Sequence, residues 1–238
     1  MSDADDRDFW GPDFSQIELR MIAYLAGEKD LIELAKDPDN DIHRIIGSLI
    51  SNKEMWAIIP EERSTGKRRN FGVVYLISAM GLAGQIMGPG YTAEDVKFCA
   101  KQLDEFYHKF KRIDRFIKNN ALLVQKRGYM ETAWYHRKRL FKEIFDPNLE
   151  PSKKSSILRM ANNVPVQGTA ADYLKLAEVQ MDKYIRLKGW NALKDGYPRV
   201  RMMLSIHDEI IISADNSIPY EEIIEMITLC METPVEGA

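Results

Sequence analysis

Only two cysteines occur in the 238 residues, Cys99 and Cys230. They lie far apart and without metal-ligand neighbours, so both read as core thiols of a chain kept in a reducing compartment. Long hydrophobic runs are missing as well. No apolar stretch approaches the roughly 18 residues that crossing a bilayer takes, so no membrane partner is expected. The acidic opening "MSDADDRDF" lacks the pattern of a signal peptide. Internal repeats and low-complexity segments are absent. A large net charge is absent too: the formal value is −3, which by itself does not suggest a polyanionic partner.

What is present is an ordinary folding composition, 45% hydrophobic and 29% charged, in a chain long enough for one large domain or two lobes. The charge is unevenly placed. Acid gathers near the ends, in Asp3, Asp5, Asp6 and Asp8 and again in Glu221, Glu222 and Glu225. Base gathers in the middle, in Arg63, Lys67, Arg68 and Arg69 and then in "KRGYMETAWYHRKRLFK" from Lys126 to Lys142. The second stretch sets Tyr129, Trp134, Tyr135 and Phe141 among its cations, a mixture that suits a phosphate backbone and bases. A solvated charged face has the same composition.

Helical apolar spacing covers residues 17–35 and breaks at Gly27. "DIHRIIGSLI" from Asp41 has the acidic start of a helix. Residues 92–128 open on a Thr cap with an acidic first turn and are long enough for two helices. Residues 142–157, with Pro147 and Pro151, read as an exposed connection. Helix then returns, with Pro165 and Gly168 interrupting its early part. From Arg199 the pattern is strand, turn, strand, followed by a helix from Tyr220. The fold class expected is α+β, mostly helical with a small antiparallel sheet.

The stretch "LSIHDEIII", residues 204–212, places His207, Asp208 and Glu209 inside an apolar run. Burying two unpaired acids would cost several kcal/mol. A hairpin tip between two buried strands avoids that cost, because the tip lies at a sheet edge. In "GPDFSQIELR" a second acid, Asp13, closes an extended segment just before a helix. Two carboxylates from separate strand ends can converge on two divalent cations, one activating a 3′-hydroxyl and the other stabilising a pyrophosphate leaving group. Magnesium suits that task, since it takes a few carboxylates plus phosphate oxygens and water.

A third constellation lies in "RSTGKRRNFGVVYLISAMGLA", where Arg63, Lys67, Phe71 and Tyr75 follow one another at steps of four. On a helix each such step drifts by about 40°, so neighbours share a face, and the series spans about 18 Å. That reach places cations on a triphosphate and aromatic rings against a base.

These three segments resemble motifs A, B and C of the family A DNA polymerases, the bacterial DNA polymerase I class and its phage relatives. "DFSQIELR" is similar to the first motif, "RSTGKRRNFGVVY" to the second and "HDE" to the third. "DIHR", "RGYMET" and "RMANNVPVQGTAAD" resemble further segments of the family, in the family's order. The resemblance implies template-directed addition of dNTPs to a primer 3′-hydroxyl by two-metal-ion nucleotidyl transfer, with Mg2+ as cofactor. It implies a palm, carrying the small sheet and its carboxylates, at 1–39 and 151–238, and helical fingers at 40–150. By the same resemblance Asp13 and Asp208 hold the metals with the Phe14 carbonyl, and Lys67 acts as general acid. Gln16, Glu18, His43, Arg63, Lys67, Phe71 and Tyr75 meet the nucleotide, Glu18 as the gate against a 2′-hydroxyl. Arg159, Asn163, Gln167, His207 and Glu209 meet the primer-template.

The sequence departs from the family at Leu76, where a glycine usually follows the tyrosine, so template handling is expected to differ. It also has a polar "DADDRDFWGP" where an apolar palm strand is expected, and no segment assignable to a thumb. A second polypeptide supplying a thumb and further palm strands is therefore expected as a partner, beside primer-template DNA and dNTPs. The expected location is a bacterial cytoplasm or that of an infected host cell. Two other readings stay open: a non-catalytic DNA-binding fragment or subunit, and a phage-type RNA polymerase, against which Glu18 and Glu209 argue.

Overall fold

The computed structural model describes residues 6–36 and 77–232. Within them the order of elements follows the apolar periods of the sequence. Strand β1 (Arg7–Trp10) leads into helix α1 (Ile17–Ala26), and Gly27 ends that helix with φ +65° before α2 (Lys29–Lys36). Helices α3 (Ala79–Met87), α4 (Ala93–Lys109) and α5 (Lys111–Arg127) follow. Thr92 caps α4 through a reciprocal capping box with Asp95. Phe110, buried and non-helical, separates α4 from α5.

The hairpin of β2 (Tyr129–Glu131) and β3 (Lys138–Leu140) comes next, then a 3-10 turn over Lys142–Phe145. Helix α6 runs from Pro151 to Leu187. Its start corrects the reading of 142–157 as one long connection: proline at a first helical position loses no hydrogen bond. It also passes through Pro165 and Gly168 without a break. The lost Pro165 amide is offset by packing on both flanks, Val164 in one apolar cluster and Val166 in another. The short pair β4 (Leu193–Lys194) and β5 (Tyr197–Pro198) precedes β6 (Val200–Ile206), β7 (Glu209–Asp215) and helix α7 (Tyr220–Glu232).

The described chain falls into two compact units, one of Met1–Ile17 with Ala170–Ala238 and one of Glu18–Thr169. In the first, an antiparallel sheet of order β1-β7-β6 packs against α7 and the second half of α6, through Ile210, Ile212, Met181, Ile223 and Met226. The polar segment before Asp13 supplies β1. Its Arg7 donates from Nε to Ser213 Oγ at 2.8 Å and from its terminal nitrogen to the Arg199 carbonyl at 3.2 Å. In the second unit, α1, α2, α4 and α5 enclose Leu19, Ile22, Leu31, Phe106, Phe110 and Ile113 together with Val166 of α6. Cys99 and Cys230 are free thiols and both are buried, as the sequence suggests. Among the described residues no helix is long and apolar enough to cross a membrane.

Candidate active site

Strands β6 and β7 pair from Val200–Ala214 to Ile206–Glu209, so His207 and Asp208 form a two-residue hairpin loop. His207 has φ +59°, in the left-handed region that costs a non-glycine residue roughly 1 kcal/mol or more. A register shift between Met202 and Leu204 bulges β6 toward the tip, and Met203, Leu204, Ser205 and Ile206 are all exposed on that edge strand. The other side of the tip is occupied. The Ile210 amide donates to the Pro12 carbonyl at 3.0 Å, and the Phe14 amide donates to the Asp208 carbonyl at 3.2 Å. Asp13 and Glu209 thereby face each other as an isolated antiparallel bridge.

This backbone register brings Asp13 close to Asp208 and Glu209. The Asp13 residue as a whole is exposed, yet its carboxyl is partly desolvated, and that burial is the first cause raising its pKa. Repulsion from Asp208 and Glu209 raises it further, while the Phe14 backbone amide opposes it. Among the described residues no group of three or more His, Cys, Asp or Glu side chains is arranged to hold a metal ion. Two neighbouring carboxylates of this kind would suit a hard divalent ion that keeps water or phosphate oxygens in its remaining positions.

Two residues of this hairpin contact carried no sequence signal. Gly11 lies where any Cβ would fall on the Glu209 carboxylate, so the glycine leaves that side chain its place. Tyr173 meets the Phe14 ring edge-on at 5.3 Å between centroids and donates from its hydroxyl to the Met231 carbonyl at 3.1 Å. Both are contacts across long sequence separations. Only the fold creates them.

The larger unit holds a second group of the expected residues. Glu18, in the first turn of α1, accepts a hydrogen bond from Gln167 Nε2 of α6 at 3.2 Å. Asn163 and Arg159 lie one and two turns earlier on α6. Arg159 donates to Ser155 Oγ at 3.0 Å, and the Asn163 Oδ1 is buried without a partner. Gln16, in the smaller unit and with φ +55°, has a buried side-chain oxygen with no partner among the described residues. His43, Arg63, Lys67, Phe71, Tyr75 and the unusual Leu76 lie outside the described residues.

The sequence pattern of DNA polymerase family A matches residues 2–236. This chain belongs to DNA polymerase family A. It is 32% identical over 214 residues to DNA polymerase I of Caldicellulosiruptor bescii, covering 88% of this chain and 22% of that relative. It is 34% identical over 205 residues to the thermostable DNA polymerase I of Thermus aquaticus, covering 85% and 22% respectively. Among solved structures it resembles the POL domain of Pol1 from M. smegmatis in complex with DNA primer-template and dNTP. The TM-score is 0.82 at 26% identity, over 98% of this chain and 38% of that one. The chain thus spans about a fifth of the length of the curated relatives it matches. The family is one of metal-dependent, DNA-directed DNA polymerases, and the mixed α+β fold agrees with it.

Proposed function

We propose that this family A polymerase chain carries out template-directed DNA synthesis, adding dNTPs to a primer 3′-hydroxyl. The observation that carries the reading is the backbone pairing that sets Asp13 beside the Asp208–Glu209 tip, through the bridge of Asp13 to Glu209 and the Phe14 amide on the Asp208 carbonyl. In this reading Asp13, Asp208 and the Phe14 carbonyl hold Mg2+. Two such ions, when bound, supply activation of the 3′-hydroxyl and neutralisation of the pyrophosphate charge. The remaining work falls to the protein's own groups. His43, Arg63 and Lys67 bind the triphosphate, and Lys67 protonates the departing pyrophosphate. Phe71 and Tyr75 pack on the sugar and bases, with Gln16 and Glu18 at the sugar. Arg159, Asn163, Gln167, His207 and Glu209 hold the primer-template.

The palm is assigned to 1–39 and 151–238 and the fingers to 40–150. Of the proposed palm, the described residues 18–36 and 151–169 then lie in the larger compact unit. A thumb and further palm strands come, in this proposal, from polypeptide outside the 238 residues. Two observations favour it: the coverage of about a fifth of the relatives, and the exposed apolar residues Met203, Leu204 and Ile206 on the edge strand β6. A reducing cytoplasm suits two buried free thiols.

The test is primer extension with Mg2+ and dNTPs, by the chain alone and with a polypeptide carrying a thumb and palm strands. The chain alone should bind primer-template weakly and in a strongly salt-sensitive way, because few phosphates are neutralised. The added polypeptide should restore affinity and synthesis. Absence of extension in both arms would refute the catalytic reading, and processive extension by the purified chain at physiological salt would refute the need for a partner.

A further inference from the structure

Gln167 and Glu18 are 149 positions apart in the chain, yet the Gln167 Nε2 to Glu18 Oε1 distance is 3.2 Å. Glu18 sits on the exposed-to-buried boundary of the first turn of α1, and both side chains are half-buried. A glutamate in such a place has several rotamers, and a hydrogen bond from a different helix narrows the choice. An amide donor does select, because an ionised carboxylate only accepts and must turn one oxygen toward the amide. The bond also fixes the amide, with Nε2 toward Glu18 and its own oxygen away.

The donor is firmly mounted. Val166, the residue before it, is buried in one core with Leu19, the residue after Glu18, so α1 and α6 are packed at this level. On the other side, a Cβ at Gly168 would stand 2.6 Å from the Thr132 methyl, which marks how closely β2 and its turn approach α6. The Thr169 hydroxyl accepts from the Ala133 amide at 2.9 Å. Gln167 thus projects from a stretch of helix held on both sides. It has little freedom to follow Glu18 if the carboxylate swings away.

We infer that Gln167 is a specificity-determining positioning residue: it holds the Glu18 carboxylate in the orientation that rejects a ribonucleotide's 2′-hydroxyl. This rests on the proposed role of Glu18 and adds to it a residue otherwise assigned only to primer-template contact. A gate carboxylate discriminates only while its oxygens stay put, since a mobile one can move aside or accept a hydrogen bond from the extra hydroxyl. Discrimination then falls without loss of the dNTP itself.

The experiment measures binding of a dNTP and of the matching ribonucleotide to the full chain on a dideoxy-terminated primer-template. Primer-template affinity is measured alongside, and folding is checked by circular dichroism. Gln167→Met keeps the length and removes the donor. It should narrow the deoxy-to-ribo preference by about threefold to tenfold, the range spanned by loss of one orienting hydrogen bond. Gln167→Glu, which sets a like charge against Glu18, should narrow it at least as far. In a Glu18→Ala background Gln167→Met should change the preference no further, as expected for two residues acting as one unit. An unchanged preference in Gln167→Met and Gln167→Glu, with weaker primer-template binding, would overturn the inference and leave Gln167 a DNA contact only. An unchanged preference in Glu18→Ala would instead overturn the gate reading on which it rests.

Discussion

The two ends of strand β7 carry acids under opposite conditions. At its start Glu209 stands beside Asp13 and Asp208, whose mutual repulsion, added to burial, pushes the Asp13 carboxyl above the usual carboxylate range. The turn that presents them holds a non-glycine residue at φ +59°. At its end Asp215 is buried and fully partnered: Lys194 Nζ lies 2.8 Å from one oxygen, and the Ser217 amide donates to the other at 2.8 Å. Those bonds hold the Asp215 carboxyl well below its usual range. Five residues lie between an acid crowded by like charges and an acid held by partners. The proposed cation site keeps unsatisfied charge, whereas the acid that only holds the fold is fully paired.

The sharpest test of that contrast is at the end proposed to be catalytic. Asp13→Asn and Asp208→Asn should each lower extension by about 10³-fold or more, and the double variant should be no worse than either single one, as residues acting as a unit behave. Relief of the repulsion should leave the thermal midpoint unchanged or higher in each. Substantial extension by either variant would break the assignment.

At the other end Asp215→Ala should leave nucleotide incorporation by the folded fraction intact. It should lower unfolding free energy by about 1–3 kcal/mol, the cost of removing hydrogen bonds made to a charged group. Because the folded-state pKa of Asp215 is depressed, its contribution is fully present above the unfolded value near 4 and is lost as pH falls below it. Urea midpoints followed downward from about pH 5 should therefore drop more steeply in the parent chain than in Asp215→Ala. Parallel curves would show that the ion pair contributes nothing.

The smallest expected effect is at the turn. His207→Gly removes the positive-φ strain and should raise stability by up to about 1 kcal/mol, net of the entropy a glycine adds to the unfolded chain. Loss of stability on that change would mean that the His207 side chain contributes more than its backbone costs.

Features set by neighbouring residues were legible in the sequence. The Thr92 cap, the end of α1 at Gly27 and the strand-turn-strand around His207 are all written within a few positions. Asp13 and Asp208 were legible as a pair because each sits at the end of an extended run, and the family motifs named the same two residues. The continuous α6 was not legible: Pro151 and Pro165 signal breaks locally, and only packing of Val164 and Val166 into separate cores overrides the second. Nor was the bond between Gln167 and Glu18, since no spacing rule links residues on different helices. The series from Arg63 to Tyr75, which the family resemblance assigns to the nucleotide, lies outside the described residues.

The burial of both thiols has a practical use in spectroscopy. Cys99 is wholly inaccessible and Cys230 nearly so, and burial pushes the Cys230 thiol up, away from the thiolate form that alkylating dyes require. With no other cysteine in the sequence, a single cysteine introduced at an exposed position, such as Leu140 on β3 or Met203 on β6, becomes the one fast-reacting handle. Fluorophores or spin labels can then be attached to the otherwise unaltered chain, and distances followed as primer-template and nucleotide are added.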